Sequence, residues 1–335
     1  MRLKRALGAA ALCLSAALLC GCAAQRAQTR EVFAMDTVMT LTVYGRGAEQ
    51  ALDEAQRELA RLDALLSAHA DGSDIARLNA AGGGRVQDET AELIARALEI
   101  AAQTDGAYDP TLLPLTRTWG FADGVYRVPE QAELDTLLAR TGWAQVCADG
   151  AEISLPEGVQ LDLGGIGKGW AAAQLRTLLR QSGVESAVLS LGGNVAVIGD
   201  KPDGSPWRIA IADPEQPETW FCTVQAADAA IVTSGGYQRC FTQDGETYWH
   251  ILDPETGRPA HSGMLSVSII CADDTLADGL STALFVMGPE RAAAFWRAHA
   301  DEFDAVWMTD ARQIFITQGL EGRFSCEERY EVIQK

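Results

Sequence analysis

Val159-Gln160-Leu161-Asp162-Leu163-Gly164-Gly165-Ile166-Gly167-Lys168-Gly169-Trp170 is the stretch on which the fold class turns. An apolar, strand-like VQLDL enters a glycine-rich turn, and a helical pattern with Trp170, Leu175, Leu178 and Leu179 leaves it. Strand, glycine turn and helix in that order also open the nucleotide-binding α/β folds, but the spacing here fits neither common version. In a P-loop, Asp162 would have to be the first Gly and Gly169 a Ser or Thr, and the glycines also miss the GxGxxG offsets. Two readings stay open. The turn presents backbone N–H groups, a helix N-terminus and the Lys168 ammonium to a phosphate, or it is purely structural.

Towards the N-terminus, Glu31 to Tyr44 reads as one strand rich in Val, Thr and Met. A helix follows, with Leu52, Ala55, Leu59, Leu62 and Leu66 at three- and four-residue steps. Ser73 to Asn79 reads as a short capped helical turn, Gly82-Gly83-Gly84 as a break, and Glu89 to Gln103 as a second amphipathic helix. Residues 105–129, rich in Pro, Thr, Trp and Gly, read as a loop. Towards the C-terminus, β-like runs occupy 186–191, 207–212, 219–225, 229–233 and 265–271. Helices are expected over 275–287 and 289–299, with strands near 303–308 and 312–317. The mixture is α+β, with helices inserted among mostly antiparallel strands, and it contains no repeat.

The first residues carry a sorting signature. Arg2, Lys4 and Arg5 precede an apolar run from Ala6 to about Leu19, too short for an ordinary membrane span. The run ends in Leu19-Cys20-Gly21-Cys22, which resembles a bacterial lipobox with Cys22 as the lipidated residue; the simpler alternative is a secretory signal cut near Ala23. On this reading residues 1–21 are a leader, 22–30 a lipidated tether, and 31–328 the functional domain. The protein is then exported and held at the outer face of the cytoplasmic membrane. Loss of Arg2, Lys4 and Arg5 with the leader takes the formal charge from −19 to −22. So acidic a surface disfavours nucleic acid, whose phosphates need Lys and Arg. It also means that a polyanionic ligand needs a local cation. Beyond Cys22 there are five cysteines, with no CxxC pair and no His at zinc spacing. At most two disulfides form from five, and small buried apolar residues are the simpler reading for most of them.

Three further clusters carry chemistry. Tyr248 to Pro259 holds His250 before the turn Asp253-Pro254-Glu255-Thr256-Gly257. Asp278 and Thr282, four apart on a helix, share one face; they are either a partial Mg²⁺ site or a helix-start Asp with a back-bonded Thr. Asp105 to Thr111 forms a third turn, followed by Pro114 and Trp119-Gly120-Phe121.

In order along the chain, these clusters resemble the ApbE family of FAD:protein FMN transferases from about Phe33 to Phe324. The matching stretches are Ala34 to Thr37, Ser73 to Asn79, Gly106 to Thr111 with Trp119 to Phe121, and Asp162 to Gly169. Gly192-Gly193-Asn194, Thr233-Ser234-Gly235, His250 to Pro259 and Asp278 to Phe285 complete the series. The resemblance implies a T-fold-like, two-lobed single domain. It implies Mg²⁺ held by Asp278, Thr282 and the carbonyl of Gly165. It implies FAD as substrate, lined by Met35, Asp109, Pro110, Thr111, Asp162, Lys168 and Ile251. His250 and Asp278 would be catalytic, His250 as orienter or base. The acceptor would be a Thr or Ser of an exported or membrane redox subunit. His69 stands where the family often has an aromatic near the flavin, so stacking there would fall to an imidazole. The same groups would serve an FAD pyrophosphatase giving FMN and AMP, and a flavin-binding lipoprotein without turnover is the third reading.

Overall fold

Nine strands, met in the same order along the chain and across the sheet, frame the structure, a computed structural model that describes residues 26–335. Cys22 and the leader lie outside the described residues. The strands are β1 (Ala27–Ala34), β2 (Thr37–Tyr44), β3 (Ala187–Leu191), β4 (Asn194–Ile198), β5 (Ala230–Gly235), β6 (Met264–Cys271), β7 (Asp304–Thr309), β8 (Ile314–Thr317) and β9 (Tyr330–Ile333). Neighbours are antiparallel throughout, apart from the parallel pair β8–β9. Among the described residues, seven helices accompany these strands: α1 (Ala48–Leu66), α2 (Asp74–Ala81), α3 (Asp88–Gln103), α4 (Leu113–Thr118), α5 (Gln131–Leu138), α6 (Gly167–Gln181) and α7 (Asp274–Ala298). No helix among the described residues is long and apolar enough to cross a membrane.

Alternation along the central strands explains the layers. Val232, Val267, Ile269 and Trp307 share a core with the apolar stripes of α1, α6 and α7. Ile231, Ile270, Val306 and Met308, one residue out of phase, face a second core with Ile209, Ile211 and Val224. That second layer is a three-stranded sheet of 207–212, 220–226 and 324–326. Leu52, Leu59 and Leu62 of α1 are essentially inaccessible to solvent, and each such side chain contributes about 1.5–3 kcal/mol.

Several local expectations change. The run 31–44 is a hairpin, because Met35 and Asp36 both take positive φ (49° and 59°) and reverse the chain in two residues. The loop 105–129 contains α4. VQLDL forms no extended strand, only one isolated parallel bridge from Gln160 to Leu112: both backbone groups of Leu161 bond to the Asn79 side chain, and the N–H of Asp162 donates to the Pro110 carbonyl. The two C-terminal helices share one run, broken at Gly288 (φ 78°, ψ 171°) ahead of Pro289.

Candidate active site

Register brings two turns and two strand ends to one end of the main sheet. The β1–β2 turn, the β3–β4 turn at Gly192-Gly193, the end of β5 and the start of β6 all lie there. A cavity of about 640 Å³ opens at this end, inside the usual range for a ligand pocket. Met35 lines it from the hairpin turn. A Met with φ of 49° occupies a region that residues other than Gly, Asn and Asp seldom visit. Such strain is commonly kept where a side chain must be presented to a site.

The floor comes from α6 and α7. Asp278, almost fully buried, accepts the N–H of Gly169 at 2.8 Å through Oδ2. The two helices meet closely enough that a methyl group at Gly169 would stand 2.7 Å from Cβ of Asp278 and overlap the Asp274 carbonyl. A buried pair, Arg176 Nη1 to Asp274 Oδ2 at 2.7 Å, joins the same helices lower down. Thr282, one turn beyond Asp278, lies 3.5 Å from the Ser234 hydroxyl of β5. The Gly165 backbone faces both Tyr108 and Thr282, since a methyl there would lie 3.1 Å from the phenol ring and 3.9 Å from Thr282 Oγ1. The Tyr108 hydroxyl is buried without a hydrogen-bond partner. Burial, then the charges of Asp278, Asp162 and Asp109, push that phenol well above its ordinary pKa. A buried donor aimed among carboxylates without a partner is suited to an oxygen ligand.

The opposite wall is built on a separate aromatic cluster of Trp119, Phe121, Phe241 and Tyr248. Trp119 Nε1 donates to the Gly257 carbonyl at 2.8 Å, tying two motifs far apart in sequence. Arg239 donates to the Phe121 carbonyl at 2.7 Å, and its own carbonyl accepts from the His250 N–H at 3.1 Å. The His250 ring lies edge-on to Phe121 with Nδ1 3.3 Å from that same carbonyl. A carbonyl only accepts, so Nδ1 carries the hydrogen in this contact and Nε2 keeps its lone pair. Burial, followed by the charges of Arg239 and Lys168, pushes His250 down from its ordinary 6.5 to about 4. The imidazole is therefore neutral at pH 7.

Nine of the residues expected from sequence line this cavity: Met35, Asp109, Asp162, Gly165, Lys168, His250, Ile251, Asp278 and Thr282. Pro110 and Thr111 stand behind it. The Thr111 N–H and hydroxyl donate to Asp109 Oδ1 at 2.8 and 2.6 Å, and the Pro110 carbonyl accepts from Asp162. Asp109 also takes the Trp143 N–H on Oδ2 at 3.1 Å, so its carboxylate organises the loop. Burial raises its pKa against those hydrogen bonds. His69 is exposed on the loop after α1 and does not line the cavity, because the Ser67 hydroxyl holds that loop by accepting the N–H groups of His69 and Ala70. Sequence reasoning missed Tyr108 and Arg239. Tyr108 sat inside a turn already singled out, whereas nothing local marks Arg239.

The wall carries four carboxylates, Asp36, Asp109, Asp162 and Asp278, against the cations Lys168 and Arg239. Among the described residues no group of three His, Cys, Asp or Glu side chains gathers as a metal site. The carboxylate of Asp278, the hydroxyl of Thr282 and the backbone at Gly165 are all hard oxygen donors. A partial oxygen set of that kind fits Mg²⁺, which takes its remaining ligands from water and phosphate, and does not fit zinc.

A profile described as the ApbE family matches residues 35–307. A Salmonella typhimurium protein named FAD:protein FMN transferase is 34% identical over 306 residues, covering 84% of this chain and 87% of that one. A Treponema pallidum protein of the same name is 32% identical over 342 residues, covering 94% and 93%. Among solved structures, the ApbE protein of Thermotoga maritima superposes with a TM-score of 0.84 at 30% identity, over 89% of this chain and 99% of that one. The apo flavinyl transferase ApbE of Pseudomonas stutzeri gives 0.79 at 31% identity, over 89% and 97%.

Proposed function

The chain belongs to the ApbE family, and from that premise we propose that it transfers the FMN half of FAD to a Thr or Ser hydroxyl of another protein, with AMP leaving. It is a flavin transferase, the class its relatives carry by name. The observation that supports this substrate best is the charge pattern of the cavity. Four carboxylates around two cations would repel a pyrophosphate unless a divalent cation came with it. Asp278, Thr282 and the Gly165 carbonyl would hold that cation. Mg²⁺, when bound, neutralises phosphoryl oxygens and stabilises the leaving charge.

The chain's own groups divide the remaining work. Lys168 and the N-terminus of α6 face the phosphates. Met35 and Ile251 offer apolar surface to the flavin. Nε2 of His250 takes the proton of the acceptor hydroxyl as its oxygen bonds to the FMN phosphorus and the bond to AMP breaks. The acceptor is an exported or membrane redox subunit, and the Cys22 lipid anchor keeps the enzyme on the same side of the membrane.

The test is purified protein with FAD and Mg²⁺, with and without an exported domain carrying a candidate Thr. One FMN added to the acceptor, matched by AMP and blocked by a chelator, is the expected result. AMP and free FMN in the presence of several such domains, none modified, would replace transfer by hydrolysis. Bound FAD without AMP would leave a binding protein.

His250→Ala is expected to slow turnover roughly 10²–10³-fold, with FAD affinity changed far less. A loss confined to FAD affinity would demote His250 to packing. The pH profile supplies the sign. With a folded value of about 4, the base stays unprotonated well below pH 6.5, so activity holds until the pH falls towards 4–5. Protonation also favours the unfolded chain. This stabilising contribution is complete above the unfolded value near 6.5 and is lost as the pH falls towards about 4. A wild-type acid limb centred near pH 6.5 would contradict this assignment.

A further inference from the structure

Away from the cavity, two thiols meet across a strand pair. In the three-stranded sheet, Cys326 stands in register with Cys222, Ser325 with Thr223 and Phe324 with Val224. One step further, the Gln225 N–H donates to the Arg323 carbonyl at 2.8 Å, which marks 225/323 as a hydrogen-bonded pair. Antiparallel ladders alternate, so 223/325 is hydrogen-bonded, while 224/324 and 222/326 are not. Partners of the second kind approach to a Cα separation of about 4.5 Å, within the roughly 4.4–6.8 Å that disulfides span. Both side chains also lie on the same face of the small sheet, Cys222 buried in the second core and Cys326 packed at its edge. Both are free thiols here, and Cys326 Sγ has only the Phe221 carbonyl as a weak acceptor at 3.2 Å.

We propose that Cys222 and Cys326 form a disulfide that locks strand 324–326 onto the small sheet when the protein meets a disulfide-donating oxidant. The partly exposed Cys326 thiolate attacks the oxidant's disulfide and forms a mixed disulfide, and one oxidant thiol leaves. Cys222 then displaces the second oxidant thiol. In sum two S–H bonds are lost and one S–S bond forms, and the two electrons and two protons reduce the oxidant to two thiols. Burial pushes both thiols above the ordinary thiol range, so the reaction is slow at neutral pH and quickens as pH rises. Among the described residues the other cysteines are not so placed: Cys147 and Cys240 are exposed on other strands, and Cys271 lies in the other core. The bridge closes a long loop that carries β5 to β8 and α7, the case in which a cross-link constrains the unfolded chain most.

The experiment incubates the full chain with oxidised and reduced glutathione, alkylates it, digests it without reduction and maps the peptides by mass. The expected product joins the peptides of Cys222 and Cys326, lighter by two hydrogens than their sum. Oxidation should also raise Tm by roughly 5 °C or more, and this increment should vanish in Cys326→Ala. The increment is read within each variant, so a lower starting stability does not blur it. Alkylated Cys222 and Cys326 beside glutathionylated Cys147 and Cys240 would overturn the proposal. So would a bridge to any other cysteine, or a 222–326 bridge without a rise in Tm.

Discussion

Asp278→Ala is expected to cut AMP release from FAD roughly 10³-fold or more and to abolish the rise in Tm that Mg²⁺ with FAD should give. The carboxylate has two duties, which must be separated. It is the one carboxylate beside Thr282 on α7, and it also accepts the buried Gly169 N–H at 2.8 Å. Alanine leaves that N–H unpaired, which costs about 1–3 kcal/mol. Asp278→Asn separates the two effects. Its amide oxygen still accepts from Gly169, so the metal-free fold should keep its stability, while the lost charge should leave activity as low as in the alanine variant. AMP is followed by chromatography and Tm by scanning fluorimetry. Asparagine activity within tenfold of wild type would remove the charge, and with it the metal role, from this residue.

Gly169→Ala should destabilise the protein by about 2–3 kcal/mol, against the usual trend for a helix. In an open helix, Gly to Ala gains about 1 kcal/mol. Here the new methyl would overlap the Asp274 carbonyl and stand 2.7 Å from Cβ of Asp278. Backbone cannot yield as a long side chain can, so α6 and α7 must part, and Asp278 moves with them. Turnover should therefore fall together with the urea midpoint. Gly167→Ala, two residues earlier on the same helix, has nothing within 4 Å of the added carbon and should stay within about 1 kcal/mol of wild type. Equal effects in the two variants would show that the close approach of the helices does not set this cost.

Where the sequence misled, backbone partners were the reason. VQLDL has the composition of a strand, yet Asn79, eighty-two residues away, takes both backbone groups of Leu161. The hairpin at Met35-Asp36 was hidden because Met is no marker of positive φ and a single Asp in a run of Val and Thr is a weak turn signal. The hairpin 240–243/246–249, which backs the aromatic wall, turns at Asp244-Gly245 (φ 54° and 84°), a dipeptide that marks a two-residue hairpin and was legible in the sequence. His69 shows the converse limit: family position suggested a flavin contact, and the loop after α1 carries it off the cavity wall.

The sequence by itself determined the α+β class, the helices other than α4 and α5, most central strands and the family, because periodic burial and glycine turns are local and survive reading in one dimension. It also marked His250, Asp278, Thr282 and Lys168 as chemistry-bearing groups. Only the tertiary structure decided that these groups share one cavity, that the His250 imidazole is neutral, and that Tyr108 and Arg239 belong beside them. Proximity, desolvation and the sum of nearby charges arise between segments far apart in the chain. They exist only once the sheet register has brought its turns to one end.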